Sequence, residues 1–145
     1  TATGGASTVI LTDASGTDVL DTITVAGTAN LTLTGTGSTD VSSVSAAGYS
    51  GNLTLDVSAA AATSTTVTGG SGDDSINIGA ITSADTVAGG DGTDSIVTAA
   101  AVTVANAANV SGVETLTISG ATATVTQLSL FGVLRWGHVC DLSHH

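Results

Sequence analysis

The sequence predicts an all-β fold, a parallel β-roll or β-helix in which short strands and turns of glycine and aspartate form a solenoid. Hydrophobic residues make up 41% of the chain but aromatic residues only 2%, so the core must consist of Val, Ile, Leu and Ala. Such a core suits thin stacked layers better than one bulky centre. Short segments alternate aliphatic residues with Thr or Ser, and a glycine-rich motif recurs. Both patterns are typical of a repeating β structure.

The predicted strands follow one another along most of the chain. In each of them one face is aliphatic and the other carries hydroxyl groups, which allows one face to be buried. The segments are 7–12, 21–27, 30–35, 52–58, 65–70, 114–120 and 121–126. The alanine-rich stretch 97–110 would tolerate a short helix, but Val102 and Val104 fit a strand better.

The repeat is clearest in GGSGDDSIN, residues 69–77, and GGDGTDSIV, residues 89–97. A step of 20 residues relates Asp74 to Asp94, and the same step leads to Glu114 in the degenerate copy NVSGVETLT, residues 109–117. A turn followed by a short strand carries the chain about half-way round a coil. These copies should therefore stack along one edge with Ile76 and Ile96 pointing inward, while the turn at Asp85 lies on the opposite edge. A weaker copy occupies residues 13–21.

The glycine turns indicate a site for a divalent cation. Glycine permits positive φ, so the backbone can curl until its carbonyl groups face one way, and the aspartate adds a carboxylate. Oxygen groups of these kinds suit a hard divalent cation. Twelve acidic residues against one basic residue give a net charge of −11. This balance excludes nucleic acid as a partner and disfavours anionic membranes. No apolar run is long enough for a transmembrane segment.

The motif G-G-x-G-x-D-x-U-x resembles that of the RTX calcium-binding proteins. The resemblance implies calcium as the ion, with ligands from the backbone carbonyls of the first four motif positions and from the aspartate. Calcium takes six to eight oxygens and one turn supplies too few, so the site would lie between two stacked copies. On this chain the ligands are Gly69, Gly70, Ser71, Gly72 and Asp74, completed by Gly89, Gly90, Asp91, Gly92 and Asp94. A second site would use Asp94 and Glu114, although Asn109 and Val110 replace its two glycines. One to three calcium ions are expected, and Asp18, Asp73 and Asp85 are expected to be solvated or in partial sites.

Residues 40–76 and 108–120 further resemble the secreted surface-layer proteins of Gram-negative bacteria, of the Caulobacter type. There a stretch of Ala, Ser and Thr precedes the calcium motif, and a G-V-E-T-L phrase follows it. This resemblance implies a structural calcium-binding module at the cell surface, exported by type I secretion. The module would fold and assemble when calcium binds. The implied partners are further copies, in a lattice or homo-oligomer, and a surface polysaccharide.

Two other functions remain open. The same repeats form blocks in secreted enzymes and adhesins, but the chain has no H-E-x-x-H or G-x-S-x-G motif. Histidine occurs only at positions 138, 144 and 145, so we expect no enzymatic activity here. The Thr-x-Thr pairs at 32–34 and 122–126 would also suit an ice-binding or adhesive solenoid.

The chain divides into a solenoid, residues 1–126, and an atypical tail, residues 127–145. We expect the solenoid to be a fragment of a longer protein and the tail to be non-native. The tail holds the only Phe, Trp and Cys and all three histidines. A metal site at His138 and Cys140 or a secretion signal is the alternative, but the spacing is poor for a metal. If the tail is native, residues 129–136 are its packing patch.

Overall fold

The computed structural model describes residues 5–13, 22–37, 41–59 and 61–119, and these form a parallel β-solenoid of about five turns. Strands alternate along the chain between two sheets. The first sheet contains β1 (Ser7–Asp13), β3 (Leu31–Gly37), β5 (Leu53–Asp56), β7 (Ser75–Asn77), β9 (Ser95–Thr98) and β11 (Thr115–Ile118) in that order. The second contains β2 (Thr22–Gly27), β4 (Val41–Tyr49), β6 (Ala61–Thr68), β8 (Thr86–Ala88) and β10 (Val110–Ser111). Every pairing is parallel, which confirms the predicted fold class. The described ranges include no helix long and apolar enough to cross a membrane.

The length of one turn decreases along the first sheet. The step between paired residues is 24 from Ser7 to Leu31 and 22 from Leu31 to Leu53. It is 21 from Thr54 to Ser75, and then 20 for the last two turns, as predicted. The glycine motifs therefore coincide with the shortest turns, where the least chain connects one sheet to the other.

The core contains two columns of aliphatic side chains, one from each sheet, together with other buried residues. One of these is Tyr49, so the prediction of a core built only from Val, Ile, Leu and Ala is wrong at this position. Parallel pairing in register places like residues above one another, and each turn adds one buried residue to each column. Burying an aliphatic side chain of this size contributes about 1.5–3 kcal/mol. The first column is Leu33, Leu55, Ile76 and Ile96, and the second is Val44, Val67, Val87 and Val110. The inward position predicted for Ile76 and Ile96 is confirmed, since neither is exposed.

Most predicted strands are present, with shifted bounds. The segments 7–12, 21–27, 30–35, 52–58, 65–70 and 114–120 correspond to β1, β2, β3, β5, β6 and β11. The prediction missed β4, because Val41, Val44, Ala46 and Tyr49 are buried at irregular spacing. Its register shifts by a bulge against both neighbours, which breaks the expected alternation. Residues 121–126 and the tail 127–145 lie outside the described ranges.

The strand predicted around Val102 and Val104 is wrong. Residues 104–109 form turns, and the Ala107 N–H donates to the Thr103 carbonyl oxygen at 3.1 Å. Val102 is buried, but Val104 is 46% exposed. The Thr103 hydroxyl oxygen accepts the Asn106 N–H at 3.2 Å. Side chains that bond local backbone in this way favour a turn over a strand.

Candidate metal site

The glycine turns stack along one edge of the solenoid, as the repeat predicts. A Cβ added to Gly69 would overlap the carbonyl oxygen of Gly89, and one added to Gly89 would overlap that of Gly112. Adjacent turns therefore approach so closely that only glycine fits at these two positions. The predicted ligand positions 69–72 and 89–92 are thus brought together in the fold.

The acidic residues of these turns form a ladder of hydrogen bonds with backbone amides. Asp74 Oδ1 accepts the Leu53 N–H at 2.8 Å, and Asp94 Oδ1 accepts the Asp74 N–H at 2.8 Å. Glu114 Oε2 accepts the Asp94 N–H at 2.7 Å. Each carboxylate therefore binds an amide of the turn before it, and we call this set of hydrogen bonds the inner ladder.

A second ladder runs along the exposed side of the same edge in the opposite sense. Asn52 Oδ1 accepts the Asp73 N–H at 3.1 Å, and Asp73 Oδ1 accepts the Thr93 N–H at 2.8 Å. Asn30 Oδ1 begins this series by accepting the Asn52 N–H at 3.1 Å. The two ladders together bind each pair of adjacent turns in both directions, which fixes their register.

The two aspartates of the repeat have different surroundings. Asp74 is buried, and both of its oxygens have donors, because Oδ2 accepts the Gly70 N–H at 2.9 Å. Asp94 is 1% exposed, and its Oδ2 is the one buried side-chain oxygen or nitrogen of the described residues without a hydrogen-bond partner. An unpartnered carboxylate oxygen in the interior is costly unless a proton or a cation meets it.

The free oxygen of Asp94 lies beside a backbone carbonyl. A Cβ built on Gly89 would be 2.5 Å from Asp94 Oδ2 and would also overlap the Gly112 carbonyl oxygen. Two oxygens from adjacent turns therefore converge on one point. Because the Glu114 carboxylate also reaches this interface, three oxygen-bearing groups are available there.

No basic side chain among the described residues balances the charge of Asp94. Burial raises the pKa of Asp94 to about 6; the carboxylates of Asp74, Glu114 and Asp73 add to the rise, while the hydrogen bond from the Asp74 N–H lowers it. The chain has a single Lys or Arg, Arg135, and it lies in the tail outside the described residues. No side chain of the described residues can therefore neutralise this site, which would suit a proton or a bound cation.

The residues fit a calcium ion better at Asp94 than at Asp74. The described residues contain no cluster of three or more His, Cys, Asp or Glu side chains able to hold a metal. Backbone carbonyls would have to supply the remaining ligands, as calcium accepts. Both interfaces place a carboxylate oxygen near a backbone carbonyl, because a Cβ built on Gly69 would lie 2.8 Å from Asp74 Oδ2 and would overlap the Gly89 carbonyl oxygen. The difference is that Asp94 Oδ2 has no donor, whereas Asp74 Oδ2 already accepts the Gly70 N–H.

Other predicted ligands form hydrogen bonds between turns. The Ser71 N–H donates to the Tyr49 carbonyl oxygen at 2.9 Å, and the Asp91 N–H donates to that of Gly70 at 3.0 Å. The side chains of Ser71 and Asp91 are exposed. The Gly70 carbonyl, one of the predicted ligands, is therefore engaged by an amide of the next turn.

Asp85 lies on the opposite edge, as predicted, but it is not solvated. It is 4% exposed, and its Oδ1 accepts the Thr65 N–H at 2.8 Å. Its Oδ2 accepts both the N–H and the hydroxyl of Thr82, at 2.8 and 2.9 Å. Asp85 is therefore a fully hydrogen-bonded cap for its turn. Asp73 is exposed as expected, and Asp18 lies outside the described residues.

Two further members of the repeat were missed at the sequence level. Residues 27–31 and 49–53 form the same turn as residues 70–74, with Asn30, Asn52 and Asp73 in equivalent places. The shared text NLTL, at 30–33 and 52–55, was the available signal. These two copies are 22 residues apart, so extending the 20-residue step of the later motifs does not find them.

No protein family model, curated protein or solved structure matches this chain. The parallel pairing of the strands is therefore what identifies the fold as a β-solenoid.

Proposed function

We propose that the chain is a structural calcium-binding module whose acidic turns close around the ion. The observation that supports this function best is Asp94 Oδ2, a buried carboxylate oxygen without a partner in a described region that contains no basic side chain. A bound cation would neutralise this charge and bridge two turns. Oxygen-only ligands, including backbone carbonyls, favour calcium over transition metals.

The wider setting that we propose is an RTX-type protein of the bacterial surface layer. Calcium is scarce in the cytosol and abundant outside the cell, so an acidic chain would stay open during export and close afterwards. Copies of the module would then assemble into a lattice or homo-oligomer anchored to a surface polysaccharide. The glycine and aspartate motifs at 69–77 and 89–97 and the net charge of −11 support this setting. The same motifs would serve equally in the repeat block of a secreted enzyme or adhesin.

Calcium titration of the chelator-treated protein tests the function directly. We expect far-UV circular dichroism to show a gain of β structure at about 10⁻⁴–10⁻³ M calcium, the range of extracellular modules, and no comparable gain with magnesium. Asp94→Asn should lose the response. Asp73→Asn removes the same charge from the exposed side of the preceding turn, so it should respond as the original protein does. A protein indifferent to calcium would refute the proposal.

A second candidate function is an adhesive or ice-binding surface. One outward column of the first sheet carries a hydroxyl side chain on every strand: Thr8, Thr32, Thr54, Ser75, Ser95 and Thr115 stand in register. The neighbouring column is less regular, since Ile10, Thr34, Asp56 and Asn77 follow one another. Thermal hysteresis of the purified protein, lost when Thr54 becomes Lys, would favour this function over the calcium module.

A further inference from the structure

The two interfaces between acidic turns differ in their backbone as well as in their carboxylates. Gly70 does not have positive φ, and its N–H donates to Asp74 Oδ2 at 2.9 Å. Gly90 occupies the equivalent place in the next turn but has φ of 112°. Its N–H does not bond Asp94 Oδ2, which is left without a partner. The two copies of the repeat therefore agree in register but differ in the backbone conformation of this glycine and in the hydrogen bonds of the aspartate.

The turns before Asp74 have apolar or neutral residues where the later turns have acids. Leu31 and Leu53 stand in the places of Asp74 and Asp94, and Tyr49 stands in the place of Gly70. Tyr49 is buried, and its hydroxyl donates to the Ala29 carbonyl oxygen. In the described edge segments 27–31 and 49–53, no acidic side chain is present that would need to be neutralised.

The direction of the inner ladder indicates the order in which the turns close. Each carboxylate binds an amide of the preceding turn, so Asp74 docks on Leu53 and Asp94 docks on Asp74. An acidic turn can therefore form this hydrogen bond only when the turn before it is already in place to supply the amide. Between the neutral turns the contact is uncharged, because the Leu31 N–H donates to the Asn52 carbonyl oxygen at 3.0 Å. The Leu53 N–H, in contrast, has the Asp74 carboxylate as its acceptor.

We propose that calcium closes only the last described turn. A single ion binds between the turn at 89–97 and the turn at 109–117, at Asp94 Oδ2 with the Gly112 carbonyl and Glu114, whereas the turns up to Asp74 close without metal. This inference rests on the proposed calcium function and makes it narrower. It also reverses the sequence-based order of the two sites, since the interface with two full glycine motifs is the one that does not take the ion.

Hydrogen exchange on the full chain, measured with a chelator and then with saturating calcium, tests where the ion acts. In chelator the Leu53 and Gly70 amides should already be protected, because their bonds to Asp74 do not depend on metal. Calcium should slow exchange at the Asp94 and Thr115 amides by at least about tenfold. Protection that appears together along the whole solenoid would overturn the inference but leave the calcium function standing. No change at any amide, with no bound ion, would overturn both.

Isothermal titration calorimetry gives an independent test through stoichiometry. We expect one ion per chain, no measurable binding by Asp94→Asn, and affinity within about threefold of the original for Asp73→Asn, which keeps the acceptor for Thr93 N–H. Two or more ions of similar affinity, or binding retained by Asp94→Asn, would contradict the inference. Because Asp94→Asn keeps the shape of the side chain, its circular dichroism in chelator shows whether a loss of binding reflects unfolding.

Discussion

Replacing Asp94 with asparagine is expected to stabilise the calcium-free protein at neutral pH. The asparagine Oδ1 would still accept the Asp74 N–H, which Asp94 Oδ1 now binds at 2.8 Å. The amide nitrogen would take the place of the unpartnered Oδ2, beside the Gly112 carbonyl oxygen. The substitution therefore removes a buried charge and places a donor next to an acceptor.

The pKa of Asp94 determines the size and the sign of the expected change in the free energy of unfolding. It is raised from an ordinary value of 3.8 to about 6 in the folded protein. At about 1.4 kcal/mol for each pKa unit, the ionised group costs the fold about 3 kcal/mol above pH 6. Since the folded state holds this proton more tightly, the group favours folding fully below pH 3.8, and this contribution is lost as the pH rises through about 6.

Urea unfolding followed by circular dichroism, in chelator and at several pH values, measures the effect. The free energy of unfolding of Asp94→Asn, relative to the original protein, should rise by up to about 3 kcal/mol between pH 4 and pH 8. Asp73→Asn is the control, because that side chain is exposed. A difference between Asp94→Asn and the original protein that does not change with pH would refute the reasoning.

Four further substitutions, one of them a control, test the packing and hydrogen bonds of the turns. Gly89→Ala should destabilise the fold severely, because its Cβ would overlap a carbonyl oxygen, whereas Gly48→Ala, where no atom lies within 4 Å, should be neutral or stabilising by up to about 1 kcal/mol in thermal unfolding. Asp85→Asn should lower the free energy of unfolding by about 1–3 kcal/mol, because Oδ1 and Oδ2 both accept N–H groups. That loss should be the same with calcium and with chelator; a loss that calcium restores would mean that Asp85 binds the ion. Tyr49→Phe should cost about 1 kcal/mol in urea unfolding, since it removes the hydrogen bond to the Ala29 carbonyl. An unchanged midpoint would show that the hydroxyl contributes nothing.

The sequence predicted the later turns better than the earlier ones. Ile76 and Ile96 stand in nearly identical motifs, so their register and burial follow from the spacing alone. The earlier turns are longer, with steps of 24, 22 and 21. There Tyr49 stands where the later turns have glycine, and only the NLTL text shows the repeat. A period that varies along the chain cannot be found by extending one step.

The different hydrogen bonding of Asp74 and Asp94 could not be predicted from the sequence, for another reason. Asp74 and Asp94 occupy the same place in the motif, and in both cases an oxygen accepts an amide of the preceding turn. Whether the other oxygen is also satisfied depends on the conformation of the glycine four residues earlier. Gly70 and Gly90 are the same residue type, but only Gly90 has positive φ. Glycine is the residue for which sequence restricts φ least.

The neutralisation of Asp94 connects the pH dependence to the calcium function. A proton and a calcium ion would compete for the same oxygen, because Oδ2 is the free acceptor at this interface. Metal binding to a carboxylate requires its deprotonated form, so the apparent affinity for calcium should fall as the pH drops below about 6. At acidic pH the turn would close with Asp94 protonated, and at neutral pH it would need the cation. The buried charge, rather than the glycine motif itself, would then make the folding of this turn depend on the ions around it.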